Sequence, residues 1–140
     1  EMIKKNIAGV MPSHVIYSSC DEKPAGFSKF WLEGQLRKIL NFEGAIFSDD
    51  MGMMAAQIYE KDLVSRVRKC LEAGCDMVLV CNQGDNVDKV LNKLLWKQDS
   101  ISKERLSNMR RDYLKNNEGD SSQLNFCYEG AKKAIKELKK

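Results

Sequence analysis

Two adjacent carboxylates directly after an apolar run are the first feature of this chain that could do chemistry. Gly44-Ala45-Ile46-Phe47 leads into Ser48-Asp49-Asp50. Ionised groups at the rim of a buried segment are costly unless solvated, paired or used. A carboxylate that stays ionised at neutral pH on a rigid strand end can attack an anomeric carbon. Neighbouring residues point in different directions, so only one of Asp49 and Asp50 can face a given substrate atom. The competing reading makes both of them caps for a helix from Met51 onward. On spacing alone, the capping reading is the stronger.

Two other apolar runs also end in polar residues: Met11-Pro12-Ser13-His14, and Cys81-Asn82-Gln83. His14 is the single histidine. On pattern alone it reads as a hydrogen-bonded structural residue rather than a substrate contact. Asn82 reads as a loop former. The five cysteines are odd in number and contain no CxxC pair, so neither a disulfide framework nor a zinc site is expected. Cys70, Cys75 and Cys81 lie among apolar residues and are expected to be reduced, buried packing thiols. The Met51, Met53, Met54 group is expected to fill core. Trp31 and Trp96 fall in helical stripes and are expected to pack rather than stack on a ligand.

These candidate residues must be positioned by strands. Ile7 to Met11, Gly44 to Phe47 and Asp76 to Cys81 are short continuous apolar runs, the pattern of strands covered on both faces. Helical periodicity lies between them. Ser28 is a good N-cap, with Phe27 and Leu32 placed for a hydrophobic staple. Leu32, Leu36, Ile39 and Leu40 then form one stripe. Leu63, Val64, Val67 and Leu71 form a second, and Gly74 stands where a helix would end. Val87, Val90, Leu91, Leu94 and Leu95 mark a third. A fourth helix is expected after Ser102, through Leu106, Met109 and Tyr113. Asn116 to Gln123 reads as a loop, and Phe126 to Leu138 as a final helix.

Strand and helix alternate three times, which predicts a parallel sheet with helices packed on it. Two architectures fit: a small doubly wound sheet, or a piece of a (β/α)8 barrel. A whole barrel takes about 250 residues, and this chain has 140. In the barrel case the earlier strands are expected to lie outside the chain. In either case ligands gather at the carboxyl ends of the strands, where the three polar endings stand.

Composition narrows the function classes. The chain is 43% apolar and 31% charged, which fits a globular domain rather than a disordered one. No apolar run is long enough to cross a bilayer. No signal peptide is evident at the start, which makes the cytoplasm the expected compartment. Net charge is +3 and the pI about 8.6, with basic and acidic residues intermixed. Neither nucleic acid nor a membrane is therefore an expected partner.

The strand endings also carry a family resemblance. Gly9-Val10-Met11-Pro12-Ser13-His14-Val15-Ile16-Tyr17 resembles the sixth-strand segment of bacterial β-N-acetylhexosaminidases of glycoside hydrolase family 3. Asp21, Pro24-Ala25-Gly26-Phe27-Ser28, Trp31-Leu32 and Leu36-Arg37 continue it. Phe42 to Met51 resembles the seventh-strand signature, and Ala73 to Asn82 the eighth strand. The likeness is ordered along the chain and runs to about Arg105-Leu106.

The resemblance implies that residues 1–140 form the C-terminal part of a (β/α)8 TIM barrel: its last three strands with their helices. It implies a retaining β-N-acetylglucosaminidase that removes terminal N-acetylglucosamine from peptidoglycan fragments in the cytoplasm, without metal or organic cofactor. Asp49 then stands at the catalytic nucleophile position. Asp50 becomes its orienting neighbour, and His14 a substrate-binding candidate. The family's acid/base histidine belongs to an upstream segment with no counterpart here, so little turnover is expected from this chain alone. Met54 and Ala55 depart from the Glu-Gly of close relatives. An upstream half-barrel chain or self-association is the expected way to cover the sheet edges. The alternatives are a non-catalytic remnant and a small α/β interaction domain.

Overall fold

In a computed structural model, residues 3, 7–82 and 84–117 are described, with side chains through residue 109. The chain divides into two compact units, Glu1–Met109 and Arg110–Lys140. The first carries the sheet and the strand tips; the described part of the second, residues 110–117, is helical. The expected helix at Phe126 to Leu138, Cys127, Gln83 and the side chain of Tyr113 lie outside the described residues.

Three strands form a parallel sheet in the order β1 (Gly9–Val10), β2 (Ala45–Asp50), β3 (Met77–Leu79). The α/β expectation therefore holds. β1 pairs with β2 through Gly9 opposite Ala45 and Val10 opposite Ile46. The approach is close: a Cβ on Gly44 would lie 2.6 Å from the Ala8 carbonyl oxygen. Only glycine lets β2 begin beside residues 7 and 8.

The chain leaves β1 through an irregular loop that folds back on itself. Ala25 N–H donates to Val15 O at 2.9 Å, and Ile16 and Pro24 form an isolated antiparallel bridge. A helix follows over Phe30–Ile39. As expected, Ser28 serves its start, its Oγ accepting from Trp31 N–H at 3.1 Å. The winding is wider than expected, with i→i+5 bonding such as Leu40 N–H to Gln35 O. A stripe spaced for 3.6 residues per turn drifts out of phase on such a helix. Leu32 is fully buried, whereas Ile39 is 68% exposed and Leu40 also faces out.

After β2 come α1 (Met54–Tyr59) and α2 (Leu63–Ala73). Asp62 caps α2, accepting from Ser65 N–H at 2.7 Å. Gly74 ends it at φ 117°, the left-handed turn that glycine adopts freely. α3 (Gly84–Lys93) follows β3, and α4 spans Ser100–Asn117. α4 starts before the expected point because Asp99 rather than Ser102 caps it, accepting from Ser102 N–H at 2.7 Å. Asn116 and Asn117 are its last residues, not loop. Trp96 lies between α3 and α4, partly exposed, instead of in a helical stripe.

The core joins Phe27, Leu32, Phe42, Ile46, Met51, Val67, Cys70, Cys75 and Val90. Of the methionine group only Met51 belongs to it; Met53 and Met54 face out. Cys70 and Cys75 are buried and free, as expected, but Cys81 is exposed because β3 ends two residues before it. Leu91 on α3 and Leu95 just after it are exposed. Among the described residues, no helix is long and apolar enough to cross a membrane.

Candidate active site at the strand tips

The carboxyl end of β2 is irregular. Phe47 pairs with Met77 and Asp50 with Leu79, so three residue steps on β2 face two on β3. The extra residue falls at Ser48-Asp49, a bulge of the kind that re-aims a side chain. Ser48 closes the gap. Its fully buried Oγ accepts from Leu79 N–H at 2.9 Å, in place of a backbone carbonyl. Past the bulge, Met51 N–H donates to Leu79 O at 2.9 Å, which restores the ladder.

Asp49 and Asp50 are both half-buried and do different things. The Asp49 carboxylate is engaged by the next amide, with Asp50 N–H donating to its Oδ1 at 2.9 Å. Asp50 is a tie. Its Oδ1 accepts from Gly52 N–H and from Cys81 N–H, each at 2.9 Å, so it joins the tip of β2 to the tip of β3. Desolvation works to raise the Asp50 carboxyl, but the Cys81 and Gly52 amides outweigh it, and Asp50 sits below the usual carboxylate range. Neither residue caps α1. That helix starts after Met53 with no side-chain cap bond.

His14 lies beneath this tip, 6% exposed. Its Nε2 is 3.3 Å from the Asp50 carbonyl oxygen, and its ring stacks on Phe27 with centroids 5.1 Å apart. Nδ1 is buried, has no hydrogen-bond partner among the described residues, and faces Gly26. Three strand ends therefore meet at Asp50: its own, that of β3 through Cys81, and the loop after β1 through His14. Asn82 completes the rim at φ 55°, a left-handed turn that asparagine tolerates.

Two neighbours were not anticipated from the sequence. Cys81 stands beside the carboxylates, and partial desolvation, then the charges of Asp50 and Asp49, push its thiol up. It is therefore no ready nucleophile at neutral pH. Arg66 on α2 is buried, and its guanidinium donates to Glu60 O at 2.6 Å and Lys61 O at 3.1 Å. It pins the α1–α2 link within the field of Asp50. A cysteine after an apolar run and an arginine in a helix carry no local mark of either role. Among the described residues, no group of three or more His, Cys, Asp or Glu is gathered to hold a metal ion.

A cavity of about 220 Å³ lies at the opposite end of the strands, lined by Glu33, Arg37, Asp76, Trp96 and Arg105 among others. Asp76 is buried there and fully engaged. Its Oδ2 accepts from Arg37 at 2.7 Å and from Ile46 N–H at 2.8 Å. Its Oδ1 accepts from Ser102 at 2.6 Å and Arg105 at 3.1 Å. The amino end of the sheet is thus closed by a polar hub, while the carboxyl end presents carboxylates.

A parallel sheet with a bulged carboxylate pair at its carboxyl edge defines the class: an α/β domain with an acidic site at its strand tips. Residues 1–111 match the family described as "Glycosyl hydrolase family 3 N terminal domain", and the chain belongs to it. It is 49% identical over 108 residues to a "Beta-hexosaminidase" of Thioalkalivibrio sulfidiphilus, covering 77% of this chain and 31% of that protein. Among solved structures it is similar to NagZ from Neisseria gonorrhoeae in complex with N-trifluoroacetyl-D-glucosamine. That match has 41% identity and a TM-score of 0.69, over 77% of this chain and 30% of the other. A glycoside hydrolase family 3 β-N-acetylglucosaminidase from a Paenibacillus strain matches at 26% identity and TM-score 0.63, over 78% and 23%. The chain thus spans about a third of the length of the Thioalkalivibrio protein.

Proposed function

We propose that this chain supplies the last three strands of a (β/α)8 barrel and the nucleophile of a retaining β-N-acetylglucosaminidase, with Asp49 as that nucleophile. The carrying observation is the bulge. It sets Asp49 apart from Asp50, which is committed to two backbone amides. Membership of the family and the gonococcal relative's complex with a glucosamine derivative support the substrate class. The resemblance extends this to N-acetylglucosamine-terminated peptidoglycan fragments handled in the cytoplasm.

In this mechanism an Asp49 carboxylate oxygen attacks the anomeric carbon as the bond to the leaving oxygen breaks. That oxygen takes a proton from a general acid. Water then attacks the same carbon and gives up a proton to the now deprotonated acid, the glycosyl–Asp49 ester breaks, and the Asp49 carboxylate and the acid are both regenerated. The acid belongs to a segment outside these residues. His14, the chain's single histidine, is buried against Asp50. General acid–base help is worth about 10² to 10⁴ in rate, so the chain alone should turn over slowly at best.

The test is chromophore release from an aryl N-acetyl-β-glucosaminide, by the chain alone and with the remainder of a related family 3 domain added. Activity on mixing is expected. Asp49→Asn should abolish it. Asp50→Asn should leave roughly a tenth, the scale of losing charge-assisted hydrogen bonds. Equal losses would remove the assignment of Asp49. A folded chain inactive in both assays would instead favour a non-catalytic role.

A further inference from the structure

A bulge that aims a side chain must itself be held, and the hydrogen bonds at the tip show how. Ser48 Oγ and Asp50 Oδ1 engage β3 from within β2. The third contact comes from outside the pair, from His14 to the Asp50 carbonyl. A carbonyl can only accept, so Nε2 must carry the proton. Nδ1 is buried against Gly26 with no partner among the described residues. A proton there would be an unsatisfied buried donor, whereas a bare ring nitrogen leaves only a lone pair unmet. The site therefore selects one state of the ring, the neutral Nε2–H tautomer. Stacking on Phe27 fixes the ring plane, and the Gly26 backbone lies against the Nδ1 side of the ring.

We propose that His14 is a positioning residue: as a neutral imidazole donating from Nε2 to the Asp50 carbonyl, it holds the bulged tip of β2 in the shape that presents Asp49. This rests on the reading of Asp49 as nucleophile and replaces direct sugar contact as the role of His14. His14 acts on the reacting carbon only through the backbone of the residue next to the nucleophile.

The chain has one histidine, so an untagged, 15N-labelled sample gives one imidazole signal set. The expected pattern is protonated Nε2 and bare Nδ1. An Nδ1–H tautomer, or the averaged signal of a free imidazole, would overturn the proposal. Two variants carry the second readout. His14→Phe keeps a ring against Phe27 but has no donor, and His14→Gln restores a donor near Nε2. In His14→Phe, exchange of the Met51, Gly52 and Cys81 amides should rise about five- to tenfold, the scale of one lost hydrogen bond, while the amides of α2 stay unchanged. His14→Gln should return the tip towards wild type. Equal protection at the tip in wild type and His14→Phe would sink the idea, and uniform loss across α2 would show a merely structural residue. If His14→Phe fails to fold, the wild-type tautomer and the Gln variant still decide. None of these readings needs turnover, so an inactive chain would count against Asp49 without touching His14.

Discussion

Asp76 is the most heavily hydrogen-bonded carboxylate among the described residues. Its carboxylate is buried, and it accepts from two arginines, a serine and the Ile46 amide. A buried ion pair as a whole contributes little against an apolar replacement, but removing one partner strands the others. Asp76→Ala removes the acceptor of the Ile46 amide and the carboxylate that pairs with Arg37 and Arg105. We expect a loss of about 3–5 kcal/mol in chemical denaturation, and a loss under about 1 kcal/mol would mean that water replaces the carboxylate. At this scale the sequence showed only part of the site. Asp49 and Asp50 stand out because charge directly after an apolar run is costly. Their division of labour depends on a one-residue register slip, which no side chain announces. His14, Cys81 and Arg66 matter through contacts made across 36, 31 and 5 or 6 residues respectively. Only a fold can bring the first two together.

At the scale of elements, the α1–α2 link flanks the strand tips and is held by charge. Glu60 bonds the Lys69 ammonium, the Asp62 amide and the Ser65 hydroxyl. The Lys69 contact first, then the amide, lowers its carboxyl from 4.5 to about 2. A depressed carboxyl contributes its stability above the unfolded value and loses it as pH falls through the folded one. The link should therefore be intact above about pH 4.5 and weaken towards pH 2. Titration of the Glu60 carboxyl by carbon NMR should give a midpoint near 2. Lys69→Met should move that midpoint up, and a wild-type midpoint in the ordinary range would show that the pair is not formed in solution. Both groups are at the surface, so added salt should raise the midpoint as well. The parallel strands and α2 were legible because their apolar runs and stripe are long enough to carry a period. α1 was not, since its six residues bury only Ala56. The drift of Ile39 and Leu40 off their stripe follows from the i→i+5 winding, to which a 3.6-residue pattern is blind.

For the molecule as a whole, the sheet decides behaviour. Three parallel strands have two outer edges, and β1 and β3 each pair on one side only among the described residues. Beside β3 an apolar groove of about 350 Å³ is lined by Val78, Leu79, Val80, Val87, Val90 and Leu91. Leu91, at its rim, is exposed. Unpaired strand edges next to apolar surface recruit another chain, and in the proposed barrel they would be covered by its other strands, since closure alone removes edges. The 140-residue chain on its own should therefore associate. Sedimentation velocity should show mass rising with concentration, with little sensitivity to salt because the surfaces involved are apolar. Adding the remainder of a related family 3 domain should replace that self-association with a defined complex. Leu91→Lys should reduce self-association by placing charge in the groove beside the open edge. A chain that stays monomeric at every concentration, with its denaturation cooperative, would mean that these edges are tolerated in water. The three-stranded unit would then stand as an independent α/β domain, and the case for a barrel partner would rest on resemblance alone.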